Sequence, residues 1–311
     1  MKKQKTVIVT GGAGFLGSHL VPELLKQGYK VHVIDSLVAG NPKNVPAGAE
    51  FHKIDIRDRD ILAKRFKEIA DEDGIYGVFH LAALPRVQFS IEHPAEARSV
   101  NIDGLINVLD AAKEAGARRL VYSASSAAYG DQDSLPLHEG MVPNPMSPYA
   151  AHKHYGEFEA RNYALHYGLP TVSLRYFNIY GPNADPYGAY AQAIIKFVHQ
   201  RKNGEAMTII NDGQQTRDSV HARDVVRANI LALESENVGK GEVINIGSGR
   251  DATVLDVARM IGGGEYVFAG TRVEPRHTRA DIQRARKLLG WEPAITLEEG
   301  IAELKKLHGI E

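Results

Sequence analysis

The sequence predicts an α/β protein: a doubly wound parallel sheet with a smaller, interleaved C-terminal lobe. Short β-branched runs recur along the chain, and stretches with helical periodicity separate several of them. The first run passes through a glycine-rich turn straight into a helical pattern.

The runs are TVIVT (6–10), KVHVID (30–35), EFHKID (50–55), GVFHLAA (77–83), RLVYSAS (119–125) and LPTVSLRYF (169–177). Strands in such a pattern form a parallel sheet wrapped by helices on both faces. Residues 94–116 have helical periodicity. A helix over 148–167 is predicted from its ends, with Ser147 as N-cap, Pro148 as first helical residue and Gly168 just beyond. From about 178 the chain becomes irregular, through NIYGPNADPYGAY. EVINIG (242–247) returns as a strand before a C-terminal segment with two short helical patterns. The expected division is one domain over 1–177 with a returning segment around 218–248, and a second lobe over 178–217 and 249–311.

Composition narrows the function classes. The 311 residues carry a net charge of −1, which gives no electrostatic case for nucleic acid or an anionic membrane as partner. The absence of cysteine removes disulfides, thiolate nucleophiles and cysteine metal sites. The apolar run near the N-terminus, Val7-Ile8-Val9, is too short for a signal peptide, and no stretch approaches a membrane span. A cytoplasmic protein is expected. Thirteen histidines invite a metal reading, but His152 and His154 lack ligand spacing and no HExxH occurs, so no metal site is expected.

TGGAGFLGSHL (10–20) follows the first strand and opens a helix, with Gly11, Gly14 and Gly17 spaced as GxxGxxG. A dinucleotide pyrophosphate needs this: a tight turn, a close backbone and a helix N-terminus aimed at its charge. The glycines alone are a weak signal, and their place between strand and helix gives them weight. Asp35 ends the next strand, where a carboxylate binds the adenosine ribose hydroxyls of a Rossmann fold. An acid here repels a 2′-phosphate, and no Arg or Lys follows until Lys43. NAD, not NADP, is the expected cofactor.

SPYAAHK (147–153) puts Tyr149 and Lys153 one turn apart on one helix face. A free phenol titrates near pH ~10 and is a poor base at neutrality. A neighbouring ammonium lowers that value. Chance produces YxxxK readily; position makes this pair a catalytic candidate, because its helix follows the SASS strand.

TGGAGFLGSHL, HLAAL, SASSAAYG, SPYAAHK and LRYFNIYGP together resemble, in order, the extended short-chain dehydrogenase/reductase family. INDGQQTRDSVHARDV and RHTRADIQRARKLLGWEP resemble its NAD-dependent nucleotide-sugar epimerase/dehydratase branch. Within it the likeness is to UDP-hexose 4-epimerases acting on UDP-glucose or UDP-N-acetylglucosamine, and DPYGAYAQAIIKF (185–197) resembles the latter subgroup. The resemblance implies that Phe15 and Leu16 join the glycines at the cofactor. It implies that Asp55 and Ile56 meet adenine, that Leu81, Ala82 and Ala83 line the cofactor, that Asn101 lies near the active site and that Tyr176 lies beside the nicotinamide. Ser125 matches a catalytic hydroxyl beside Tyr149 and Lys153, and Asn178 and Arg217 match groups that hold the diphosphate. The family's second diphosphate arginine stands in an R-x-G-[DE] string. Here Thr271-Arg272-Val273-Glu274 lacks that glycine, which leaves Arg272 and Arg276 as candidates. A homodimer through helices near 94–116 and 148–167 is also implied.

Related 4,6-dehydratases carry an Asp-Glu pair directly after the catalytic hydroxyl, to remove a C5 proton and expel a C6 hydroxyl. Here those positions are Ser126 and Ala127. The expected chemistry is therefore reversible inversion at C4 through a transient 4-keto sugar, with NAD regenerated each cycle and tightly held. Thr278 matches a gate at which a bulky aromatic excludes an N-acetyl group, and Ser126 lies where it can contact that group. The alternatives are a UDP-glucuronate epimerase or decarboxylase, a dehydratase, a one-way dehydrogenase, or a non-catalytic dinucleotide-binding regulator.

Overall fold

In the computed structural model, which describes residues 4–185, 193–271 and 274–310, the first apolar run is β1 (Thr6–Thr10), all of it buried. It feeds α1 (Gly17–Lys26); β2 (Lys30–Asp35), β3 (Glu50–Lys53), α2 (Arg59–Asp73) and β4 (Gly77–His80) follow. Next come α3 (Val87–Glu92), α4 (Pro94–Arg98) and α5 (Gly104–Glu114), then β5 (Leu120–Ser125), α6 (Pro148–His166) and β6 (Thr171–Tyr176). Beyond lie β7 (Asn178–Tyr180), α7 (Ala193–Lys202), β8 (Met207–Ile209), β9 (Thr216–Arg217) and β10 (Ser219–His221). They are followed by α8 (Ala222–Glu234), β11 (Lys240–Ile246) and β12 (Ala252–Thr253). Last come α9 (Val254–Ile261), β13 (Tyr266–Phe268), α10 (Gln283–Leu289) and α11 (Leu297–His308).

Seven strands form one sheet in the order β11-β6-β5-β4-β1-β2-β3, every pairing parallel. The chain winds outward from β1 in both directions, so the order reverses between β1 and β4. Open sheets of this kind bind ligands outside the carboxyl ends of the strands at that reversal. Along β1, Val7 and Val9 pack into one apolar layer and Ile8 into the other, which is why no polar residue stands between Thr6 and Thr10. Leu20 and Leu24 of α1, Val225 of α8 and Leu289 of α10 fill the first layer. Leu62 and Phe66 of α2, Leu109 of α5 and Ala160 of α6 fill the second. A third cluster joins Phe197 of α7, Met207 of β8, Ile261 of α9 and Leu304 of α11.

Helix α6 starts as expected: the Ser147 hydroxyl accepts from the Ala150 amide at 3.2 Å. Residues 94–116 do not form one helix, because a π-helical turn at Ser99–Asp103 separates α4 from α5. β3 and β4 stop short, at Lys53 and His80, as their last expected residues leave the sheet to line a cleft. Among the described residues three helices follow β11, where two short helical patterns were expected. The first of them, α9, starts at a reciprocal cap in which Thr253 accepts from the Asp256 amide at 2.9 Å. Among the described residues no helix is long and apolar enough to cross a membrane.

Candidate active site

A cleft of about 950 Å³ opens at the strand-order reversal, at the upper end of small-molecule sites. Its floor is a cradle in which side chains do not fit. Gly11 has φ +72°, and a Cβ there would lie 2.6 Å from the Ala82 amide nitrogen, so the loops after β1 and β4 touch through bare backbone. A Cβ on Gly17 would run into the Gly12 carbonyl, and one on Gly14 would meet the Gly11 carbonyl at 3.2 Å. Phe15 and Leu16 line the same wall as α1 begins. Beneath it, Thr10 Oγ1 and His80 Nδ1 are 2.7 Å apart and tie the ends of β1 and β4 together. Burial keeps the His80 imidazole neutral, down to about 3.

Asp35 ends β2 facing the cradle, its carboxylate accepting from the Ala13 amide at 3.0 Å and the Leu37 amide at 2.8 Å. Asp55 and Ile56 line the cleft just past β3. The Arg57 guanidinium clamps the Asp55 carboxylate at 2.6 and 3.0 Å and holds it below the ordinary carboxylate range. Leu81, Ala82 and Ala83 line the cleft after β4. Asn101 acts from behind them. It sits in the π-helical turn, accepts from the Leu84 amide at 2.7 Å and donates to the Leu84 carbonyl at 3.0 Å. Both ends of its amide are thus spent on holding that loop. The cradle, the Asp35 carboxylate and the matching cleft fit an NAD dinucleotide.

Ser125 ends β5, and α6 brings Tyr149 and Lys153 against it. The Ser90 hydroxyl accepts from the Tyr149 amide at 3.1 Å and fixes the first turn of α6. Ser125 and the Tyr149 phenol both face the cleft. Burial pushes that phenol above its ordinary value, and the Ser125 hydroxyl opposes it. The expectation that Lys153 lowers the phenol does not hold in this arrangement. Lys153 Nζ instead donates to the Ser123 carbonyl at 2.7 Å, over the Tyr122 ring. Burial brings Lys153 down to about 8, opposed by Glu157 one turn later, which itself pairs with Arg175 through two 2.7 Å bonds. Ser126 and Ala127 line the cleft beside Ser125, so no carboxylate occupies either position. Tyr176 also lines it, its hydroxyl donating to Asn229 at 2.8 Å and lying 3.2 Å from the Ser123 hydroxyl.

The opposite wall carries Asn178, Arg217 and Thr278. Arg217 is not free: it pairs with Glu274 at 2.9 Å, and both line the cleft. Arg276 is turned elsewhere, its guanidinium gripped by Asp212 at 2.8 and 3.0 Å, and it does not line the cleft. Arg272 lies outside the described residues, as do 186–192 of the stretch singled out at 185–197. The Thr278 hydroxyl accepts from the Asp218 amide at 3.3 Å. Asp218 escaped the sequence reading. Its buried carboxylate accepts from the amides of Ala280, Ser248 and Gly249 and from the Ser248 hydroxyl, and so fixes the Thr278 segment. Burial pushes it up to about 6. Glu274 was missed as well. The string Asp218 follows, QTR, marks the arginine, and nothing local marks its distant partners.

Residues 7–247 match the family model described as the NAD dependent epimerase/dehydratase family. The chain is 37% identical over 304 residues to a putative UDP-glucose 4-epimerase of Methanocaldococcus jannaschii, covering 95% of each protein. Among solved structures it resembles the UDP-glucose 4-epimerase of Thermotoga maritima bound to UDP-glucose, with TM-score 0.91, 37% identity and 97% of each chain covered. It also resembles a UDP-N-acetylglucosamine 4-epimerase of Methanobrevibacter ruminantium bound to UDP-N-acetylmuramic acid, with TM-score 0.90, 34% identity and 98% of each chain covered. With the glycine cradle, Asp35 and the Ser125–Tyr149–Lys153 cluster, these likenesses establish that the chain belongs to the NAD-dependent epimerase/dehydratase family and that its cofactor is NAD.

Proposed function

We propose that the protein is an isomerase, a 4-epimerase of a UDP-hexose, with UDP-N-acetylglucosamine and/or UDP-glucose as substrate. The observation that carries this reading is the meeting of Ser125 and Tyr149 in the cleft at the end of β5 with Ser126 and Ala127, not acids, beside them. Tyr149 exchanges a proton with the sugar 4-oxygen, and Ser125, in the same cleft, relays or donates to the same oxygen. Lys153 supplies buried positive charge beneath them, its remaining N–H groups free of the Ser123 carbonyl. NAD, when bound, supplies a reversible hydride acceptor for C4. Arg217 exchanges Glu274 for the diphosphate and anchors that end while the 4-keto sugar turns over.

Thr278 is small where it meets the cleft, which suits a 2-acetamido group, and Ser126 stands ready to bond it. The same reading includes a homodimer: Tyr155, Phe158 and Leu165 leave an exposed apolar stripe along α6.

Proton NMR of the purified protein with UDP-N-acetylglucosamine and no added NAD tests the function. The expected result is growth of a second anomeric signal from the galacto epimer. Persistence of the starting signal alone, with UDP-glucose inert as well, overturns it.

A further inference from the structure

β3 is the outermost strand of the sheet, and Glu50 and His52 alternate onto the same face of it. The register sets Glu50 opposite His32 of β2, with His52 two pairs further along, opposite Ile34. His32 Nδ1 lies 3.0 Å from His52 Nε2 and 3.5 Å from Glu50 Oε2. The three ligand atoms all fall within 4.8 Å of one another. Lys30 holds the other Glu50 oxygen at 3.1 Å and is itself held by Asp73 at 2.7 Å and Glu72 at 3.2 Å.

We infer that His32, Glu50 and His52 form a binding site for a divalent transition metal of the zinc class, separate from the catalytic cleft. Two imidazole nitrogens and one carboxylate oxygen are a donor set that zinc accepts, with a fourth position left for water. Magnesium and calcium require oxygen donors, and this set does not suit them. Two paired strands fix all three ligands, so little ordering remains when the ion enters. Glu50, Glu68, Glu72 and Asp73 face Lys30 and Arg65 around the rings, which leaves the surroundings anionic.

One feature sets the strength of binding. His32 Nε2 is buried without a partner, so the metal-bound ring has no acceptor for its second N–H. Loss of such support costs about 10–100-fold in affinity. β3 runs directly into Asp55 and Ile56, so a bound ion braces the strand that delivers them to the cleft.

Co2+ titration of the purified full-length protein, followed in the visible spectrum, tests the site. The expected result is the ligand-field spectrum of four-coordinate Co2+, saturating at one ion per chain and erased by Zn2+ but not by excess Mg2+. The His52→Ala variant should abolish the bands. The Glu50→Gln change, at an exposed edge position that keeps the fold, should weaken binding about tenfold or more. Absence of saturable bands overturns the proposal. So does a titration unchanged in both variants, which would place the ion on other histidines and leave His32 and His52 sharing only a proton.

Discussion

On one side of the cleft the binding groups are backbone: Gly11, Gly14 and Gly17 leave room for a ligand, and Asp35 is already locked by the Ala13 and Leu37 amides. On the other side stands an arginine with an anion in hand, Arg217 on Glu274, while Arg276 is turned out of the cleft onto Asp212. Backbone surrenders nothing when it binds, so the first wall is suited to a ligand that stays. An arginine that must exchange one carboxylate for a phosphate gains only the difference, which suits a ligand that leaves every cycle. Between the two walls stand Ser125, Tyr149 and Lys153, on elements of the rigid sheet side.

The largest test of this contrast strikes between the walls. The Tyr149→Phe variant removes only the phenol hydroxyl, and kcat should fall by about 10²–10⁴-fold with the melting temperature and bound NAD unchanged. Steady-state kinetics that leave kcat within a few-fold of the parent would remove Tyr149 from the chemistry. Arg217→Ala should act on the substrate wall alone, raising KM for the UDP-sugar about 10–100-fold through loss of charge-assisted hydrogen bonds. Bound NAD, read from absorbance after denaturation, should stay constant; if it falls, the two walls are not independent. Thr278→Tyr should lower kcat/KM for UDP-N-acetylglucosamine about tenfold by overfilling the gate, with UDP-glucose spared. Equal loss with both sugars would contradict the gate.

The smallest effect is a pH signature. Burial lowers Lys153 to about 8, so its charge is lost as pH rises through that value, and kcat should decline a few-fold above it. Stability moves the other way. A lysine depressed on folding contributes stability above its unfolded pKa, and that contribution is lost as pH falls through about 8. Parallel profiles of kcat and of denaturant midpoint, in the parent and in Lys153→Met, check both signs.

The sheet side of the molecule was legible because its signals are local. TVIVT, the glycines and Asp35 lie within one βαβ unit, and Ser147-Pro148 marks the start of α6 at a single point. The π-helical turn was not, because what shapes it is distant: Asn101 grips Leu84, and a Cβ on Gly104 would meet Ile56 Cδ1 at 2.6 Å. The substrate wall hid for the same reason. Its strands β9 and β12 are two residues long, too short for any periodicity to register. Its ion pairs and the Asp218 bonds join residues that are neighbours only once the chain has folded. The Tyr149 phenol shows a subtler limit, since the YxxxK spacing is real but burial, which the spacing does not reveal, pushes the phenol up.

The central claim is that this site moves protons only on oxygen, because a serine and an alanine, Ser126 and Ala127, stand where a lyase needs carboxylates. Turnover of UDP-N-acetylglucosamine in D2O, with the epimer pool analysed by NMR and mass spectrometry, tests that directly. The account requires a galacto product that retains every carbon-bound hydrogen. Deuterium at C5, or a dehydrated keto sugar, would show that the site performs eliminative chemistry and would contradict it.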